Sequence, residues 1–382
     1  MKHVHMLKSS AAVLAVLAVL ACYQWLDGKS NSLVLEQPIA IALSHPCPDL
    51  GSPEPERWLK LAHKFRPAEP IKTLPDLLHH IGNGFLIQMP DHSDNITRMR
   101  LLTDLLDGTL SPQYQPKTAW LFRGIDSRPH MSQRVDEGAE GHPSQLLADF
   151  AALGIRTSRI VRSGETSVSI AELVRSLKED FHLEGEIEWK AIALARYAPT
   201  KASWVNRWGK AFDFDTIVSN LLQRMPGQGS CRGTHILQAL VVIWRVDALN
   251  PILSGSSRDA IRRRLATTVV QLQTGQRDEG YWAPDWPTPH PNRSDFSQDH
   301  LLFSMDQLAL VTGHHLEWLD MLDDKFALPV ATHQAALGWC VRTLERVTAH
   351  SVAEYLCAYS HCFRAVTRDI SPEAWSGERG VR

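Results

Sequence analysis

Ser169-Ile170-Ala171-Glu172-Leu173-Val174-Arg175-Ser176-Leu177-Lys178-Glu179-Asp180-Phe181 decides how the rest of the chain is read. Ile170, Leu173, Val174, Leu177 and Phe181 recur at the spacing of one helical face, and Ser169 with Glu172 forms a capping box at its start. Downstream the same period continues: Ser256 and Asp259 open a helix whose stripe is Ile261, Leu265, Val269 and Leu272. Further helices are expected at Ile187 to Tyr197, Phe214 to Met225, Thr234 to Ala248, His300 to Thr312, His315 to Leu322, Val330 to Thr348 and Val352 to Thr367. No stretch of this region alternates with period two for long enough to predict a sheet. The expected fold is all-α, with antiparallel helix pairs joined by Pro/Gly-rich connections.

Upstream the pattern weakens. A polar stretch from Asp126 to Pro143 reads as a long loop, and Leu74 to Ile81 and Met99 to Leu106 read as helices. Between Asn31 and Pro70 prolines are frequent and no period is sustained, which predicts a tether with short helical pieces such as Glu56 to Phe65. At the amino terminus, Lys2 and Lys8 precede the apolar run Ala11 to Tyr23. That run is shorter than the roughly 20 residues needed to span a bilayer, so a secretory signal fits better. Val19-Leu20-Ala21-Cys22 resembles a bacterial lipobox, which would make Cys22 an acylated first residue; the alternative is an uncleaved anchor reaching through Trp25 and Leu26. Either way the membrane is engaged through the N-terminus, and the body is expected outside the cytoplasm, periplasmic or on the cell surface. The expected layout is thus a leader at 1–22, a tether at 23–70, an N-terminal helical region at 71–143 and a helical body at 144–382.

The chain's 40 Lys+Arg against 42 Asp+Glu give a net charge of -2 and no basic stripe, which excludes a dedicated nucleic-acid binder. Of its six cysteines, Cys22 lies in the leader; Cys47, Cys231, Cys340, Cys357 and Cys362 are an odd set without a CxxC pair, so they are not a disulfide framework.

Gln276-Arg277-Asp278-Glu279-Gly280-Tyr281-Trp282 reads Q-x3-G-x-W and follows the amphipathic helix that ends near Thr274. It resembles the QW repeat of squalene cyclases and of the wider terpenoid cyclase and protein prenyltransferase family, whose helices form an α/α toroid. The resemblance implies a toroid from about Ser144 to the C-terminus, with Gln276 bonding backbone groups at a helix end and Trp282 packing beside it. It implies no activity. Asp213-Phe214-Asp215-Thr216 supplies half of the family's DxDD cluster, Asp323-Asp324-Lys325-Phe326-Ala327 lacks the last Asp of DDxxD, and Gly229 stands where a zinc-binding prenyltransferase has Asp before its ligand Cys.

Two clusters carry chemistry. Gly227-Gln228-Gly229-Ser230-Cys231-Arg232-Gly233-Thr234-His235 leads into an apolar helix; continued helix would put Cys231 and His235 on one face, as a nucleophile couple or metal pair, or else the segment is a tight turn with a buried Cys. No third ligand is legible, so no metal site is assigned, and no cofactor is identified. Thr312-Gly313-His314-His315-Leu316-Glu317-Trp318 places His314, Glu317 and Trp318 at i, i+3 and i+4, an imidazole, a carboxylate and an indole on one face if Gly313 starts the helix. His314 and Glu317 are the expected proton carriers, with His235 and Cys231 beside them. Trp282 and Trp286 in an aromatic loop, Trp318, His300 and His361 are the expected contacts to a glycan or isoprenoid ligand; the alternative is that Glu317 caps, Trp318 fills the core and His361 is a bonded core histidine. The function expected is acid/base catalysis on an envelope glycan or lipid-linked molecule, or else non-catalytic binding by a scaffold protein. Convergence of the two clusters in one concave site is the geometry that this reading requires.

Overall fold

The computed structural model describes residues 34–43, 55–65, 106–107, 122–125, 128–131, 142–163, 166–288, 299 and 301–367. The leader, the expected helix Leu74 to Ile81 and the candidate His300 lie outside them. The fold is all-α. Its helices are α1 (Pro55–His63), α2 (Gln145–Ala152), α3 (Ile170–Glu179), α4 (Glu188–Tyr197), α5 (Phe214–Gln223), α6 (Thr234–Leu249), α7 (Gly255–Gly275), α8 (Met305–Asp320), α9 (Val330–Arg346), α10 (Ala349–Glu354) and α11 (Leu356–Thr367). None of the helices among the described residues is long and apolar enough to cross a membrane.

Three short antiparallel hairpins, not expected from the sequence, join or precede these helices: β1 (Phe122–Ile125) with β2 (Arg128–Met131), β3 (Ile160–Ser163) with β4 (Thr166–Ser169), and β5 (Ser203–Val205) with β6 (Ala211–Asp213). They escaped notice because each strand is only three or four residues long, too short for a period of two to register. β2 also falls in the stretch expected as loop. In the second hairpin Val161 pairs with Val168 and both are buried, which turns β4 directly into the capping box of α3: Glu172 N–H donates to Ser169 Oγ, and Ser169 N–H donates back to Glu172.

Five helices form an inner row. α2 packs on α4, α4 on α6, α6 on α8 and α8 on α11, while the helices between them in sequence cover the row: α3 on α2 and α4, α5 on α4 and α6, α7 on α5 and α6, and α9 on α8 and α11. Burial follows this division. Every residue of α4 is buried, whereas α7 buries only the stripe Ile261, Leu265, Thr268, Val269 and Leu272 with Gly275 at its end. Residues 34–43 run along the body, where Leu35 and Ile39 donate to the carbonyls of Tyr197 and Arg196 at the end of α4.

The α8–α11 contact is the closest in the row, and Gly313 makes it so. The sequence expectation was that Gly313 begins a helix; instead α8 runs through it without a break. A methyl group on Gly313 would stand 2.6 Å from Cys362 N and 2.7 Å from the His361 carbonyl carbon and Cβ. The missing side chain serves close approach, not helix termination. Beside this contact the free thiols of Cys340 on α9 and Cys362 on α11 lie 3.1 Å apart, and Cys362 also reaches the Ala309 carbonyl of α8.

Gln276 and Trp282 lock the corner after α7. Gln276 Nε2 donates to the carbonyls of Gly280 and Thr332 at 2.8 Å each, and Trp282 Nε1 donates to the Leu272 carbonyl at 2.9 Å. Gly280, at φ 106°, lies so close to the Ala335 carbonyl that no side chain fits. Gln276→Ala leaves two carbonyls unpaired and should cost about 1–3 kcal/mol, and Gly313→Ala should cost a similar amount, about 1–3 kcal/mol, by overpacking. Chemical unfolding of each variant measures this; wild-type stability in both would remove these assignments.

Candidate active site

The inner row delivers its polar side chains to one place. His142 and Glu186 come from just before α2 and α4, His235 is in the first turn of α6, and α8 and α11 contribute His314 and Glu317, and Cys357 and His361, from their lengths. Of the two expectations for Cys231, the tight turn holds and the continued helix does not, with the cysteine only partly buried. The α6 helix does not extend back to it; Cys231, Arg232 and Gly233 all take left-handed backbone conformations, with φ of 47°, 58° and 77°. Such geometry in a cysteine and an arginine is strained, and it persists where the surroundings impose it. Here Thr234 Oγ1 donates to the Cys231 carbonyl and Trp286 Nε1 to the Arg232 carbonyl, fixing the turn.

Four imidazoles follow one another across the site. Ring centroids lie 4.6 Å apart for His142 and His235, 4.9 Å for His235 and His314, and 3.6 Å for His314 and His361. A carboxylate holds each end. Glu186 takes a 2.9 Å contact from Nδ1 of both His142 and His235. Glu317 lies 2.9 Å from His361 Nδ1 and 3.4 Å from His314 Nδ1, with Arg364 at 3.7 Å on the outer side. The Trp189 indole nitrogen is 3.3 Å from His235 Nδ1, farther than Glu186, so the proton on that nitrogen belongs to the bond with the carboxylate. Neither nitrogen of His314 makes a hydrogen bond, although the side chain is 1% exposed.

Burial sets the charges. It pushes His235 down to about 4 despite the Glu186 contact, and it drives His314 well below the usual imidazole range, helped by the charge on His361. His361 moves the other way: burial is the largest single influence and opposes its charge, but Glu317 and Cys357 together outweigh burial and raise it to about 10. Glu317 and Glu186 are pushed up by burial, yet their histidine partners, with Arg364 for Glu317, hold both well below the carboxylate range. The Cys231 thiol is raised by burial and by the neighbouring Cys357, Glu186 and Glu317, so it is not a thiolate nucleophile by itself. The result is an imidazolium at His361 next to a neutral imidazole at His314, between two carboxylates.

Of the residues singled out in the sequence, His235, Cys231, His314, Glu317 and His361 come together, although they lie on three helices and a turn. The tryptophans are not ligand contacts: Trp282 and Trp318 take the packing alternative, and the expectation of Trp286 at a cavity mouth is corrected. Trp282, Trp286 and Trp318 are buried around His315, with ring centroids 5.5, 4.7 and 5.8 Å from it, and Trp318 Nε1 donates to His315 Nδ1. They form a closed apolar box that keeps His315 neutral, pushed down to about 3 by burial, and they offer no face at a cavity mouth. His142, Glu186 and Cys357 were not anticipated. Nothing in a polar loop distinguishes the first two, but Cys357 and His361 repeat the C-x3-H spacing of Cys231 and His235, which was visible.

Two sets of side chains bring metal-ligating atoms within 4.8 Å of one another: His142, Cys231 and His235, and His314, Glu317 and His361. The second already balances its own charges, an imidazolium against a carboxylate. That pairing predicts a pH dependence. A raised His361 stabilises the fold fully below its ordinary value of 6.5, and the contribution is lost as pH climbs through about 10, while the depressed Glu317 contributes fully above its ordinary value of 4.5 and loses that contribution as pH falls below it toward its own lower value. Among the described residues, the other ionisable groups facing the pair include His314, His235, Arg364, Cys357 and Cys231. Urea unfolding should therefore show the stability gap between wild type and Glu317→Gln narrowing from about pH 6 to about pH 10.5. A gap that is constant or widens would contradict the ion pair.

No protein-family model matches this chain, and comparison with curated proteins and with solved structures finds no match.

Proposed function

We propose that this chain is an acid–base enzyme of the cell envelope, acting on a glycan or a lipid-linked molecule at the His314–Glu317–His361 cluster. One observation carries the reading: a buried imidazole, His314, has no partner on Nε2 and only a long 3.4 Å contact from Nδ1 to Glu317, yet it lies against a second imidazole that is paired to the same carboxylate. An orphaned polar group in the interior costs free energy unless something binds it. Two imidazoles with environments that drive them apart in basicity are suited to opposite roles. His314, neutral, accepts a proton from the substrate; His361, held protonated by Glu317, supplies one to the leaving group or steadies negative charge that develops there. His235 packs edge-on against His314, and Arg364 completes the charge balance of Glu317.

The envelope location rests on the short apolar leader and the Val19-Leu20-Ala21-Cys22 sequence, with Cys22 acylated or the apolar segment retained as the anchor. The body is read as an α/α toroid of the terpenoid cyclase and prenyltransferase type, supported by the Gln276 to Trp282 corner and by a chain that alternates between an inner row and its cover. A second reading, a non-catalytic binding protein, draws support from the depth of the cluster, where the side chains of His314, Glu317 and His361 are only 1–5% exposed.

The test is turnover of envelope glycan fragments and polyprenyl-linked saccharides by the purified full chain, with products identified by mass spectrometry. His314→Gln should lower kcat/KM by about 10²- to 10⁴-fold, the usual contribution of one proton-transfer group, while its melting temperature stays near wild type. Equal turnover in wild type and His314→Gln would sink the acid–base assignment. Retention of a ligand in native mass spectrometry without turnover would establish the binding reading instead.

A further inference from the structure

We infer that His142, Cys231 and His235 form a zinc site with an open coordination position, held from behind by Glu186. This goes beyond the acid–base reading and does not depend on it. The three side chains come from three separate places: the approach to α2, the left-handed turn and the first turn of α6. Their ligand atoms nevertheless converge within 4.8 Å. Two imidazole nitrogens and a thiol are a donor set that a borderline-soft divalent ion prefers, and oxygen-seeking magnesium or calcium does not.

Three features beyond the ligands themselves point the same way. Glu186 contacts Nδ1 of both histidines at 2.9 Å, which leaves Nε2 of each as the ligating nitrogen. A carboxylate that orients a histidine through its far nitrogen is the usual support behind a bound zinc ion, and here one carboxylate serves two rings. The strained turn at Cys231 and Arg232 is the second feature: it carries Cys231 out of line with α6 and toward His142, at a conformational cost to both residues. Third, Cys231 and His142 are only partly buried, unlike the four helical residues deeper in the site. A three-ligand ion at that depth keeps a fourth position for water or a substrate oxygen. His314, whose Nε2 has no partner, packs edge-on against the His235 ring.

The full chain, stripped with a chelator, should bind one equivalent of zinc in competition with a chromophoric chelator. Cobalt substituted for zinc should give an intense near-ultraviolet thiolate-to-metal band. Cys231→Ser should abolish that band and weaken zinc binding at least 100-fold, and Glu186→Gln should weaken it about 10- to 100-fold. His361→Gln should leave zinc affinity within a few-fold of wild type. Circular dichroism establishes that each variant folds, and His142→Ala is read in place of Cys231→Ser if that variant does not. Absence of stoichiometric binding, unchanged affinity in the Cys231 or His142 variant, or loss of binding in His361→Gln would each overturn the proposal.

Discussion

Everything in the deep half of the site depends on a side chain that is absent. With only hydrogen at Gly313, α8 settles against the backbone of α11 at Cys362 and His361, and this proximity brings Glu317 to 2.9 Å from His361 and sets the tilted His314 and His361 rings 3.6 Å apart. Any larger residue would hold the two helices apart by a good part of an ångström or more. A contact that short is the difference between a hydrogen-bonded ion pair and two buried charges that each pay for desolvation without compensation. The packing of two helices and the protonation of one histidine are therefore one fact seen at two scales.

The same logic explains how a protein interior tolerates four imidazoles, two carboxylates and two thiols together. Charge is admitted only where it is matched. Glu317 ionises because His361 and Arg364 face it, Glu186 because two histidines bond to it, and His235, His314 and His315 stay neutral because no adequate partner offsets the loss of water. The tryptophans around His315 show the apolar limit of this rule. Three indoles surround it and leave one of its nitrogens without a partner, so that ring is part of the core and not of the chemistry.

Much of the architecture was legible in the sequence because helical amphipathicity is a local signal. The stripe on α3, its capping box and the run from α4 to α7 declare themselves over windows of ten to twenty residues. Gly313 was misread because a glycine that permits close packing and a glycine that ends a helix look alike in one dimension. For Cys231 the sequence leaves a continued helix and a tight turn open, and the turn is what forms; its left-handed geometry is something no apolar period reports. Half of the site was named from residues of chemical type at short spacing, His314 with Glu317 and Cys231 with His235. His142 and Glu186 were beyond reach, since a lone histidine in a polar stretch acquires meaning only when the helix row carries it to its partners. Cys357 was within reach, through a repeated C-x3-H spacing.

The arrangement of the inner row has a bearing on how this chain folds. Neighbouring helices meet early, but the site draws on residues from His142 to His361, so it closes only when the first and last members of the row are both in place. Contacts of such long sequence separation form late, after the entropy of the intervening chain has been lost. A partly folded molecule would hold its histidines in two unconnected groups, one near α2, α4 and α6 and the other between α8 and α11. The assembled row of rings is thus a property of the finished molecule alone, and truncation at either end of the body removes it whole.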